Sequence, residues 1–175
     1  QDKNIIKYVI DKGKGLMLVL NKWDLIEKDT YTMKEITDDV IYEYPLLQFY
    51  PILFTSVKHN LRLGNILEKT LKISENSYKK YTTKDLNDFL KKVLSIKRPP
   101  SVKGKDIKIK YITQVHVSPP VFVFFTTYPE LITESYRRFL LNQLRANFDF
   151  EGVTIKVSFR TNKWVVFTFF LYLNK

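Results

Sequence analysis

The tetrapeptide Asn21-Lys22-Trp23-Asp24 follows directly on a continuous apolar run, Leu16-Met17-Leu18-Val19-Leu20. A carboxylate at the end of a buried strand is an acceptor with two oxygens and no proton to give. It can accept two parallel hydrogen bonds, from the N1–H and the 2-amino group of guanine. Adenine has neither donor in that place, so the acceptor would stay unpaired, which is costly in a closed site. The spacing matches Asn-Lys-x-Asp, the guanine-recognition motif of GTPases. Asn21 can tie the loop to neighbouring backbone, and the stem of Lys22 can lie against the base.

A second polar motif, Thr55-Ser56-Val57-Lys58, comes 31 residues after Asp24 (55 minus 24), again just past an apolar stretch, Pro51-Ile52-Leu53-Phe54. Here a backbone N–H near Val57 would donate to guanine O6, Ser56 would support the Asp24 carboxylate, and Lys58 would cover the other base face. The predicted guanine site is therefore Asn21, Lys22, Asp24, Ser56 and Val57.

A phosphate-binding loop requires Gly-x-x-x-x-Gly-Lys-Ser/Thr. None of Gly13, Gly15, Gly64, Gly104 and Gly152 begins one. Asp149-Phe150-Glu151-Gly152 spells a switch-like Asp-x-x-Gly, but far beyond the base motif, and reads as a turn. Nothing here would hold phosphate or Mg²⁺, and the chain on its own is not expected to hydrolyse GTP. With no cysteine and only His59 and His116, thiolate metal sites and histidine clusters are excluded. Both histidines read as solvated polar residues.

Two strands with motifs at their carboxyl ends need helices around them. Ile5, Ile6, Val9 and Ile10 predict a helix over 1–12, stopped by Gly13. Thr30 is a possible cap for a helix over 31–43, ended by Pro45. Leu63, Ile66, Leu67 and Leu71 predict a helix over 61–79. The alternation of helix and strand predicts half of a doubly wound parallel sheet over residues 1–80, where ligands sit beyond the strand ends. The strand at 16–20 should lack a neighbour on one edge.

The pattern changes near residues 78–83. Thr83 reads as the cap of a helix over 84–96 that Pro99-Pro100 stops. Alternation predicts a strand over 107–111, followed by a turn at Pro119-Pro120 and a buried strand over 121–125. A helix over 131–147 and a strand over 155–160 complete an α+β layer, three strands with helices on one face. Phe122, Phe124 and Phe125 read as core rather than as a stacking platform.

Net charge is +11, from 29 basic and 18 acidic residues. Residues 1–80 hold 13 basic and 11 acidic residues (+2), leaving 16 and 7 (+9) for the rest. The second half is thus the one expected to face a polyanion. Arg137, Arg138, Arg145, Lys156 and Arg160 are its candidate RNA contacts. No apolar run approaches the length of a membrane helix, no signal peptide heads the chain, and a cytoplasmic protein without membrane partners is expected. The first residue is Gln1 rather than Met, which suggests a piece of a longer protein.

These residues resemble the bacterial double GTPases of the Der (EngA) family. The resemblance runs through Gly13-Lys14-Gly15, Asn21-Lys22-Trp23-Asp24 and Thr55-Ser56. It continues in Lys108-Ile109-Lys110-Tyr111-Ile112-Thr113-Gln114, Pro119-Pro120-Val121-Phe122-Val123-Phe124 and Ser135-Tyr136-Arg137-Arg138-Phe139-Leu140. It implies a partial P-loop-type doubly wound α/β sheet, the C-terminal half of the second GTPase domain (1–80), then an α+β KH-like domain (81–163) and a tail of unclear role (164–175). It further implies GTP and GDP as ligands, Mg²⁺ held in the parent protein by residues not in this chain, and action in large ribosomal subunit assembly. Partners would be rRNA of that subunit and the upstream GTPase domains.

Two departures stand out. Val57 occupies a place where such loops usually carry Ala. No Gly-x-x-Gly, the backbone clamp of RNA-binding KH domains, occurs, and Tyr128-Pro129-Glu130-Leu131 takes that region. The alternative is a non-enzymatic RNA- or protein-binding module with a degenerate nucleotide site.

Overall fold

The computed structural model describes residues 2–27 and 31–161. The possible cap Thr30 and the tail over 164–175 lie outside the described residues. The chain divides into two compact units. Of the described residues, the first holds those up to Lys79 together with Phe150–Thr154; the second holds Lys80–Asp149 and those from Ile155 on. The architecture is mixed α/β, with helices around two small sheets.

In the first unit, α1 (Asp2–Asp11) stops at Gly13, whose φ of 69° is the left-handed conformation that glycine adopts freely. β1 (Leu18–Leu20) lies parallel to β2 (Ile52–Phe54), with Leu18 opposite Ile52 and Leu20 opposite Phe54. Among the described residues β1 pairs with β2 alone, so its other edge has no strand. β1 is shorter than the apolar run predicts. The Leu16 amide donates to the Gly152 carbonyl at 2.9 Å, and only from Leu18, whose N–H reaches Pro51 O, does the parallel ladder begin. Between the strands lie α2 (Thr32–Glu43) and a 3₁₀ turn at Pro45–Phe49; α3 (Leu63–Tyr78) follows β2.

Leu47, Tyr50, Phe54, Trp23 and Ile73 form the core of this unit with Val153. The short segment Phe150–Thr154 is built into it. Gly152 N–H donates to Phe49 O, the Tyr50 and Thr154 hydroxyls are 2.9 Å apart, and Lys69 pairs with Glu151. The predicted turn at Asp149–Gly152 therefore delivers its last residues into the first unit.

In the second unit, α4 (Thr83–Ile96) is capped by Thr82, not Thr83: the Thr82 hydroxyl oxygen accepts from Asp85 N–H at 3.1 Å. Both residues are cap formers, and Leu86, Phe89, Leu90 and Val93, spaced i, i+3, i+4, i+7, form the buried stripe of the helix. β3 (Ile109–His116) is longer than the alternation predicts and starts later. Register shifts at Ile109/Tyr111 and Gln114/His116 break the period of two, so its second half does not read as a strand. His116, which lies beyond the strand predicted over 107–111, is its last residue and is exposed. β4 (Val121–Thr126) runs antiparallel to β3 and parallel to β5 (Lys156–Arg160), giving the order β3-β4-β5.

α5 (Glu134–Asn147) starts three residues later than predicted, because Pro129–Leu131 form a 3₁₀ turn and the Thr133 hydroxyl caps the helix by accepting from Tyr136 N–H. Phe122 and Phe124 are fully buried. Among the described residues no helix is long and apolar enough to cross a membrane.

Candidate nucleotide site

The polar residues at the ends of β1 and β2 are placed by backbone hydrogen bonds. Thr55 N–H donates to Leu20 O at 2.9 Å, and Trp23 N–H donates to Thr55 O at the same distance. These two bonds lace the loops together. Lys22 turns between them in the left-handed region (φ 64°), which sends Trp23–Leu25 into a 3₁₀ turn. The Trp23 ring is buried with its centroid 4.6 Å from that of Phe54. Trp23, the unspecified position of the motif, is thus the anchor that fixes where Asp24 points.

Asp24 faces Ser56. The fully buried Ser56 hydroxyl donates to Asp24 Oδ1, and His59 N–H donates to Ser56 Oγ at 3.4 Å. That hydroxyl holds the Asp24 carboxyl below its ordinary range; burial opposes the shift, and His59 and Lys58 add to it. An ionised carboxylate offers its remaining lone pairs to donors. Its Oδ2 lies 3.8 Å from His59 Nε2. The His59 side chain, read from sequence as solvated, is exposed, and no spacing signal marks its place beside this carboxylate.

Asn21 Oδ1 accepts from Val57 N–H at 3.2 Å. The donor assigned from sequence to guanine O6 is therefore shared with Asn21, and the Val57 side chain is 60% exposed. Lys22 and Lys58 are exposed. The structure thus brings Asn21, Asp24, Ser56 and Val57 together at one end of the parallel pair, with Lys22 and Lys58 in the same two loops. Among the described residues no group of three or more His, Asp or Glu is placed to hold a metal ion.

The basic residues named from sequence are placed differently from one another. Arg137 Nη2 donates to Val157 O at 2.6 Å, and its guanidinium lies 5.7 Å from the Phe159 ring centroid. Arg145 is half-buried, with a buried Nε. Arg138 is exposed, 3.8 Å from Glu134. Lys156 and Arg160 are exposed at the two ends of β5.

Residues 80–160 match the family described as the KH-domain-like, C-terminal part of EngA bacterial GTPase enzymes. The chain is also similar to proteins named GTPase Der. It is 44% identical to that of Lactobacillus johnsonii over 93% of this chain and 38% of the relative, and 45% identical to that of Caldanaerobacter subterraneus subsp. tengcongensis over 90% and 36%. For Lacticaseibacillus casei the identity is 40%, over 93% and 38%. The chain thus spans little more than a third of the length of these relatives. It belongs to the Der (EngA) family of bacterial GTPases as a C-terminal portion, with residues 80–160 as its KH-like domain.

Proposed function

We propose that the first unit is the base-reading half of a guanine-nucleotide site, set in part of a P-loop-type doubly wound sheet. The parent protein is then a cytoplasmic GTPase acting in assembly of the large ribosomal subunit. The observation that carries this reading is the Asp24 carboxylate, with one oxygen engaged by Ser56, lying past the carboxyl ends of two parallel strands. In this reading Asp24 accepts from guanine N1–H and the 2-amino group, Ser56 and Asn21 hold the two loops, and the stems of Lys22 and Lys58 flank the base. Val57 N–H reaches O6 while shared with Asn21. Bound GTP would supply the phosphoanhydride to be cleaved. Phosphate and Mg²⁺ would be held by residues outside this sequence. The KH-like unit contacts rRNA, with Arg138, Lys156 and Arg160 among its solvent-facing cations.

A second reading, a degenerate nucleotide site on an RNA- or protein-binding module, draws on the Val57 amide being engaged by Asn21. One experiment separates the two. Amide NMR of the 175-residue chain is followed with millimolar GDP, then ADP, with and without Mg²⁺. The first reading expects weak, Mg²⁺-independent shifts at residues 21–24 and 55–58 with GDP and none with ADP. Equal responses, or no response, favour the second. Micromolar, Mg²⁺-dependent binding would contradict the missing phosphate loop.

A further inference from the structure

We propose that the RNA-binding edge of the KH-like unit is the lysine-rich strap between α4 and β3, and that it grips phosphates without reading bases. This rests on the RNA part of the reading above and places the contact away from α5. Residues 97–110 carry six cations, Lys97, Arg98, Lys103, Lys105, Lys108 and Lys110, against one acid, Asp106. All six are exposed. The α5–β5 group exposes fewer cations: Arg137 is engaged by Val157 and Phe159 and Arg145 is half-buried, which leaves Arg138, Lys156 and Arg160 exposed.

The strap is also shaped. Val102 and Lys105 exchange both backbone hydrogen bonds, at 3.2 and 3.0 Å, around a two-residue turn. Lys103 and Gly104 at its tip both have positive φ, 51° and 70°, as a type I′ turn requires. Beyond the turn Ile107 and Ile109 are buried, so the intervening Lys108 and Lys110 point outward. In extended backbone such alternate residues lie about 6.6 Å apart, a spacing on the scale of successive phosphates. The Lys108 backbone is held on both sides: its N–H donates to Thr127 Oγ1 and its carbonyl accepts from Thr127 N–H.

The neighbouring groups fit a nucleic acid. The Lys105 ammonium lies 4.7 Å from the centroid of the half-buried Tyr128 ring. Tyr128 immediately precedes the 3₁₀ turn at Pro129–Leu131, so the strap's cations meet an aromatic ring at that loop. Within the strap Pro99, Ile107 and Ile109 are buried, and the apolar groups that reach its surface are Pro100 and the half-buried Val102, with Ile96 exposed just before it. The strap's own acid is Asp106, 3.8 Å from Lys108, and Glu130, two residues after Tyr128, is exposed. Ammonium groups bind phosphate as point charges, without the fork geometry that selects bases.

The test is fluorescence anisotropy of the whole chain with labelled single-stranded RNAs of different base composition, at about 50 to 300 mM KCl. K103E/K105E/K108E should weaken binding by about tenfold or more and reduce the salt slope by about two to three. K103Q/K105Q/K108Q should shift affinity the same way, with an unchanged thermal melt showing an intact fold. R138E/R160E should change affinity by less than about twofold, and so should base composition. The reverse pattern would return the contact to α5 and overturn the strap while leaving the RNA reading standing. Equal binding to phosphatidylserine vesicles, or a strong base preference, would also overturn it. No binding of RNA by the unaltered chain at low salt would defeat the RNA reading itself.

Discussion

Ser56 donates its hydroxyl hydrogen to Asp24 Oδ1 across two loops that β1 and β2 bring side by side. The bond favours the ionised carboxylate, so it depresses the carboxyl's titration. A depressed folded-state value means that the interaction stabilises the fold above the ordinary carboxylate range and is lost as pH falls through the lowered value. In carboxyl ¹³C NMR, Asp24 should titrate below 3.8 in the unaltered chain and move up in Ser56→Ala. A midpoint that stays put in the variant would mean that the hydroxyl does not govern this charge.

If Asp24 reads the base, replacing its carboxylate with a carboxamide inverts the chemistry on one side. Asparagine has one acceptor and one donor where aspartate has two acceptors. Xanthine carries a carbonyl where guanine carries the 2-amino group, so Asp24→Asn should lose the response to GDP and gain one to XDP. Buried polar mismatches can discriminate strongly, though less in an open half-site than in a closed one. The readout is the same amide NMR titration, and retention of GDP selectivity in Asp24→Asn would remove Asp24 from the recognition role.

Much of this arrangement was legible because its signals are local. The apolar runs, the polar motifs behind them and the periodicity of α3, α4 and α5 all lie within short windows. What escaped depends on partners distant in sequence. β1 starts at Leu18 because Leu16 is bonded to Gly152, more than a hundred residues on. β3 reads as a strand only as far as its bulges allow. His59 meets Asp24 through a loop that no periodicity describes. Arg137 and Arg138 are adjacent in sequence, yet one bonds a strand carbonyl and the other faces solvent.

The two candidate caps of α4 can be told apart. Thr82 accepts from Asp85 N–H, whereas Thr83 is the first helical residue. Thr82→Ala should cost about 1 kcal/mol, and Thr83→Ala a few tenths at most. Urea unfolding followed by circular dichroism measures both, and equal losses would reject the assigned boundary.

Tyr136 is fully buried and donates its hydroxyl to Lys97 O at 2.8 Å. Burial pushes its phenol up to about 12. The unfolded phenol ionises near 10, so the stability contributed by the neutral group is complete below that pH and falls as pH rises toward 12. Tyr136→Phe should lose about 1 kcal/mol at neutral pH. It should also flatten the decline above pH 10, which alkaline denaturation series would show.

The segment Phe150–Thr154 is held in the first unit by a glycine that no other residue can replace without strain. Gly152 has φ of 73°, and a Cβ there would lie 2.5 Å from Ile73 Cγ1 and 3.2 Å from Leu16 O. Gly152→Ala therefore combines an unfavourable backbone conformation with a steric clash, and should cost about 2 to 4 kcal/mol. Ile73→Ala leaves a cavity of its own, yet it removes the nearest clash. The double variant should then be more stable than the sum of the single losses implies, a coupling of about 1 kcal/mol. Trp23 lies in this unit and reports its unfolding, so denaturation is followed by fluorescence in a Trp164→Phe background. Additive losses would mean that Ile73 does not press on Gly152. No loss in Gly152→Ala would mean that the segment does not need its left-handed turn, and that Leu16 owes its position before β1 to something other than the Gly152 carbonyl.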